Sequence, residues 1–307
     1  MNRPLQTVIV LCIIALMAVA VWRSCTRGVV TVTTTAPVAT PVYRSLAVAG
    51  DCAHPTSFAA AARDNASSLN QARWSVFGRP ETGWAIYAPL TGHEIGTACA
   101  ADTPAFAAAL AAWRSAHGGP ASGTMDAATL DALRLTWLER RPFLAASAPG
   151  SCPPAASAAE LLTLRPQEGY EGMTIRLRPQ ALVAWRAMVA AARRESPAIA
   201  GDPRLLTIFS GFRDPAADAL RCAAGGCGRL TRASCSAHRT GLAMDLYLGS
   251  APGFPPESAA DANRLYESQT PAYRWLVANA ARFGFVNYPF EPWHWEWAGA
   301  QSRPRQP

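Results

Sequence analysis

Lysine is absent from this chain of 307 residues: all 28 basic residues are arginine, set against 21 acidic ones for a formal net charge of +7. The arginines are spread along the sequence. No compact basic stretch with interleaved aromatics occurs, which argues against nucleic acid as a partner and leaves contact with other anionic polymers as the use of the charge. Histidine is scarce, with five residues in all, His54, His93, His117, His238 and His294. A Cys-x-x-Cys pair is also missing. Cys222, Cys227 and Cys235 cluster without that spacing, so a thiolate metal site is not expected there. The polar, charge-rich composition of a disordered chain is absent too, since 50% of the residues are hydrophobic and the length suffices for two modest domains with real cores.

An apolar run from Val8 to Trp22 follows Arg3 and precedes Arg23 and Arg27. With Pro4 to Thr7 it nearly reaches the roughly 20 residues of a membrane span. Ala18-Val-Ala20 offers a small-x-small cleavage site, but bulky Val21 and Trp22 follow it, so an uncleaved anchor is expected over a signal peptide. Trp22-Arg-Ser precedes Cys25, and a lipidated cysteine is not expected there. Both readings export the body of the chain, to the periplasm on the inner membrane or, if cleaved, as a secreted protein. Cysteine usage agrees: Cys52, Cys99, Cys152, Cys222, Cys227 and Cys235 form an even set suited to disulfides. Six cysteines allow 15 pairings, among which spacing does not choose. At least one bridge is expected to pin the Cys222–Cys235 cluster.

The organisation expected is a membrane segment over 1–28, a Thr/Pro-rich spacer over 29–50, an N-terminal module over 51–143, an Ala/Pro/Ser linker over 144–159 and a second domain over 160–307. In the module, Thr103-Pro104 reads as an N-cap with Pro at the first helical position, and Phe106, Leu110 and Trp113 form a helical stripe that Gly118-Gly119-Pro120 ends. Asp126 opens a second helix through Leu130 and Leu133. Trp74, Trp84 and Tyr87 suit either a core or stacking on sugars. In the second domain a helix is expected over Pro179–Arg194, strands over Leu205–Phe209, Ala243–Leu248 and Phe285–Tyr288, and a last helix from Thr270-Pro271 to Gly284. The stretch 251–269 reads as a polar insertion at a cleft rim. Strands mixed with segregated helices predict an α+β fold with a small antiparallel sheet.

Chemistry concentrates in Ser236-Ala-His238-Arg-Thr-Gly241-Leu-Ala243-Met-Asp245 and in Glu291-Pro-Trp-His294. Two imidazoles and a carboxylate make a three-ligand zinc site with a fourth position for water, and a further carboxylate can take that water's proton. Gly241 permits a tight turn that feeds His238 into the strand carrying Asp245. Pro289 and Pro292 hold Glu291 and His294 on a fixed, irregular segment. Pro292 and Trp293 partly desolvate Glu291, which raises its pKa toward a value useful for a base. Arg213, in Ser210-Gly-Phe-Arg213, offers a bidentate fork to an oxyanion or carboxylate.

These three motifs, in this order, resemble the zinc D-alanyl-D-alanine carboxypeptidases of the vancomycin-resistance type, which share a superfamily with lysostaphin-like peptidases and the hedgehog domain. The resemblance covers roughly Leu161 to Gly299. It implies zinc on His238, Asp245 and His294, Glu291 as general base and acid, and a substrate face built from Arg213, Ser236 and Trp293. Two segments depart from the family pattern: Asp214–Leu220 lacks its usual Gln, and Trp295-Glu296-Trp297 stands where a basic residue is common. Residues 103–135 resemble, more loosely, a helical peptidoglycan-binding module, with Arg114 in place of the usual Gln. The resemblance implies an enzyme trimming peptidoglycan stem peptides, and a monomer is expected. An endopeptidase of the same fold and a non-catalytic zinc-containing wall-binding protein are the alternatives. Glu291 speaks against the last, since a structural zinc needs no base.

Overall fold

The structure is a computed structural model that describes residues 51–299 except 76, 148–151, 218 and 221–234. The expected membrane segment and spacer, with Cys12, Cys25, Cys222 and Cys227, lie outside the described residues. Among the described residues, no helix is long and apolar enough to cross a membrane.

The first half is mainly helical. Helix α1 (Ala59–Gln71) leads into a short antiparallel hairpin of β1 (Arg73–Trp74) and β2 (Glu81–Thr82), followed by α2 (Ala88–Glu94), α3 (Pro104–Ala116), α4 (Ala127–Glu139) and α5 (Pro142–Ala146). Helix α3 starts where its cap dictates: the Thr103 hydroxyl accepts from the Phe106 N–H at 3.3 Å, and Pro104 fills a position that needs no donor. Its stripe of Phe106, Leu110 and Trp113 packs on Leu130, Leu133 and Trp137 of α4. Asp126 caps α4 through the Thr129 N–H at 2.8 Å. It also accepts from buried Arg114, whose other donors close the loop onto Ser122 and the Thr124 carbonyl. Trp74, Trp84 and Tyr87 belong to this core, so none is free to stack on a ligand.

In the second half, a two-stranded pair of β3 (Leu162–Thr163) and β4 (Arg176–Leu177) precedes α6 (Pro179–Glu195) and a short α7 (Pro197–Ala200). The main sheet contains β5 (Ile208–Ser210), β6 (Ala243–Leu246), β7 (Phe285–Asn287) and β8 (His294–Trp297), in the order β5-β6-β8-β7 and antiparallel throughout. Between β6 and β7 lie α8 (Asp261–Gln269) and α9 (Pro271–Asn279), the latter capped by the Thr270 hydroxyl and ending through a 3-10 turn at Gly284. Leu182, Trp185 and Met188 of α6 and Leu276 of α9 cover one face of the sheet, whose inward side chains include Ile208, Met244, Leu246 and Phe285. The fold is thus mixed, with helices and small antiparallel sheets, as expected.

Local differences have physical reasons. The strand expected from Leu205 begins only at Ile208, because Leu206 adopts a left-handed φ of 68°. Only the first part of the 251–269 insertion, around 252–257, is exposed as a rim would be: α8 turns Asn263, Arg264, Glu267 and Ser268 inward, fully buried. Cys52 pairs with Cys99, and Cys152 with Cys235. The second bridge ties the linker to the residue just before the Ser236 motif, which is the pinning expected of that cluster.

Candidate metal centre

Asp245 and His294 are directly opposed partners on the central strands β6 and β8. Cross-strand neighbours on one face have Cβ atoms about 5 Å apart, so this register alone aims a carboxylate and an imidazole at one point. His294 therefore stands on a regular strand, not on the irregular segment the two prolines suggested. His238 arrives from a 3-10 turn, Ala237–Thr240, in which the Ser236 hydroxyl accepts the His238 N–H at 3.3 Å. Gly241 closes the turn at φ 69°, where a Cβ would stand 2.7 Å from Leu161 Cδ2.

The three buried side chains converge. His238 Nε2 lies 3.2 Å from Asp245 Oδ1 and 3.2 Å from His294 Nδ1, and His294 Nδ1 lies 2.9 Å from Asp245 Oδ1. All three ligand atoms fall within 4.8 Å of one another. Their outer atoms fix which nitrogen faces inward. His238 Nδ1 is 2.7 Å from the Gly211 carbonyl and must donate to it, leaving the Nε2 lone pair for the centre. His294 Nε2 is 3.3 Å from Glu296 Oε1, which leaves Nδ1 inward. Two buried ring nitrogens facing each other across 3.2 Å are reconciled by a proton or a cation between them. Two imidazoles and one carboxylate are a donor set of the catalytic zinc type, and ligand atoms 2.9–3.2 Å apart lie close to the spacing that bonds of roughly 2.0–2.2 Å require. The residues fit the ion.

Electrostatics agree with that fit. Burial disfavours the charged form of His238 and holds its pKa below the usual imidazole range. Burial also opposes ionisation of Asp245, but the two histidines outweigh it and keep the carboxylate well below its usual range. His294 is pushed up to about 9: burial works against its charge, and hydrogen bonds to Asp245 and Glu296 overcome that. The centre thus has a net appetite for positive charge.

Glu291 sits in a turn between Tyr288 and His294, held by its N–H to the Tyr288 carbonyl at 2.9 Å. Its Oε2 is 3.9 Å from His294 Nδ1. Burial raises its pKa, and the Asp245 charge adds to the rise while His294, Arg141 and Arg213 oppose it. Arg213 donates to Ser210 Oγ at 2.8 Å and to Asp245 Oδ2 at 3.2 Å. The ligand side chains are buried, whereas Glu291 keeps 32% and Arg213 23% of its side chain exposed, so these two edge the open side. Ser236 caps the His238 turn. Trp293 is only 3% exposed and packs in the main core, which corrects its expected place on a substrate face: a side chain flanking a strand ligand alternates away from it.

Other functional residues gave little sequence signal. Asn287 Nδ2 donates to the carbonyls of Glu291 at 3.2 Å and His294 at 2.9 Å, clamping the turn between base and ligand. Arg264 Nε donates to the Phe290 carbonyl at 2.8 Å, one residue before Glu291. Glu296 alone was accessible by pattern, since it follows His294 by two on a strand and so shares its face.

Residues 230–300 match the family model of the D-alanyl-D-alanine carboxypeptidases named VanY. A search of the curated proteins found no significant match. Among solved structures, the chain is similar to a vancomycin-resistance D,D-pentapeptidase VanY, a point mutant from a VanB-type resistance cassette in complex with Zn(II), at 19% identity and a TM-score of 0.29, covering 48% of this chain and 84% of that one.

Proposed function

We propose that this protein is a zinc-dependent D-alanyl-D-alanine carboxypeptidase that trims peptidoglycan stem peptides outside the cytoplasm. The observation that carries the reading is the convergence of His238, Asp245 and His294 with a partly open, pKa-raised Glu291 beside them. The match of residues 230–300 to the carboxypeptidase family supports it. Two disulfides agree with an oxidising compartment. The apolar run at Val8–Trp22 would anchor the body to the inner membrane.

His238, Asp245 and His294 would hold the zinc, which when bound would supply a Lewis acid and acidify a water. Glu291 accepts the proton of the attacking water and delivers it to the leaving amine of the terminal D-alanine; its raised pKa suits both halves of that transfer. Arg213, at the open edge, steadies the developing oxyanion or the terminal carboxylate with fixed donors. Gly211 and Glu296 keep the two imidazoles in the required tautomers.

Mass spectrometry of a pentapeptide muropeptide after digestion tests this. Loss of one alanine is expected, and amidation of the terminal carboxyl should sharply weaken turnover. A larger lost fragment, or cleavage confined to cross-linked dimers, would replace the proposal with an endopeptidase.

A further inference from the structure

Glu296 is a buried carboxylate that the proton transfer does not use. It is 1% exposed, and every oxygen is taken. Its Oε1 accepts from Arg141 Nε at 2.8 Å, from Arg141 Nη2 and from His294 Nε2 at 3.3 Å, and its Oε2 accepts from the Phe143 N–H at 3.0 Å. Arg141 and Phe143 belong to the start of α5, in the mainly helical first half, 155 and 153 residues away from Glu296 in sequence. Arg141 is itself buried and lies 4.1 Å over the ring of Tyr288, whose N–H donates to the His294 carbonyl at 3.0 Å. A buried carboxylate without a cation is strongly disfavoured, so Glu296 keeps its charge and place because Arg141 is there.

We propose that Arg141 and Glu296 are positioning residues for the metal centre: the α5 segment reaches across to orient the ligand His294, so that zinc retention depends on a side chain from the helical half of the chain. Glu296 holds the Nε2 proton of His294 and so presents Nδ1 inward. Arg141 holds Glu296 by two donors, Nε and Nη2, that converge on Oε1, a fixed pair that the single ammonium of lysine does not reproduce. The inference rests on the zinc reading above.

The test is zinc affinity of the full chain, by competition with a chromophoric chelator, for wild type, Glu296→Gln, Arg141→Lys, Arg141→Met and the Arg141→Met/Glu296→Gln pair. Loss of a carboxylate behind a ligating histidine weakens metal binding by about 10–100-fold, and Glu296→Gln should fall in that range. Arg141→Lys should recover only part of what Arg141→Met loses. The double variant should bind zinc no more weakly than the poorer single one, because both act along one chain of contacts. Cobalt(II)-substituted Glu296→Gln should show shifted visible bands, a change in ligand geometry that a mere tether between segments would not produce. Wild-type affinity and an unshifted spectrum in Glu296→Gln, which is isosteric and expected to fold, would overturn the inference even if Arg141→Met does not fold. A wild type that binds no zinc would instead overturn the zinc reading itself.

Discussion

Glu267 is fully buried in α8, with one carboxyl oxygen accepting from Asn263 at 3.2 Å and the other without a hydrogen-bond partner among the described residues. Burial pushes its pKa up to about 9 from the usual 4.5; Asp245 and Glu291 add to the rise, and Asn263 and Arg264 oppose it. The folded chain therefore keeps a proton that the unfolded chain releases. Stability from this group is complete below about pH 4.5 and is lost as pH rises toward 9. Glu267→Gln should flatten the fall in stability between those values, seen as urea midpoints that converge less steeply with pH than those of the wild type. Parallel curves would show that Glu267 is ionised in the fold. At the centre itself, His238→Ala, Asp245→Ala or His294→Ala should each remove most of the zinc, because three-ligand chelation fails when one arm goes. Glu291→Ala should keep zinc and fold yet lose about 10²–10⁴-fold in turnover. Elemental analysis and kinetics on one preparation separate the two outcomes, and near-normal turnover would place the base elsewhere.

At the scale of elements, α8 locks the base-bearing turn to the helical half. Its Arg264 is fully buried, with Nη1 at 2.6 Å from Glu81 Oε1, Nη2 at 2.6 Å from the Tyr87 hydroxyl and Nε at 2.8 Å from the Phe290 carbonyl, and its guanidinium packs 3.8 Å over the Phe290 ring. Removing one partner of such a pair leaves the other charge buried, at a cost of about 3–5 kcal/mol. Arg264→Met should lower stability by that order, and adding Glu81→Gln should return part of it. Denaturant titration of the single and double variants checks this, and additive losses would sink the coupling. This element was the least legible in the sequence. Asn263, Arg264, Glu267 and Ser268 share one helical face, and a polar face reads as solvated unless its partners are known. By contrast, α3, α6 and α9 were readable from cap and stripe, since Thr103-Pro104, Pro179 and Thr270-Pro271 act on their own first turns. Strand β8 was missed because Pro289 and Pro292 stand just before it and its pairing with β6 joins residues about fifty positions apart.

At the scale of the molecule, the two halves of the described chain share buried ion pairs, Arg141 with Glu296 and Arg264 with Glu81. Neither half carries these charges satisfied by itself. Residues 152–299 expressed alone should therefore fold poorly and hold little zinc, measured by hydrogen exchange and metal content against the full chain. A stable, zinc-loaded fragment would show that the helical half is dispensable to the centre.

Sequence alone named His238, Asp245 and His294 as candidate ligands and Glu291 as the candidate base, through their residue types and the family resemblance, and it determined the local helices, because capping depends on residue type within a few positions. It could not choose among disulfide pairings, place Trp293 in the core, or reveal the Arg141–Glu296 support behind His294. Those were decided by tertiary structure, since whether a buried charge is tolerated depends on a partner that only the folded chain brings within hydrogen-bond reach.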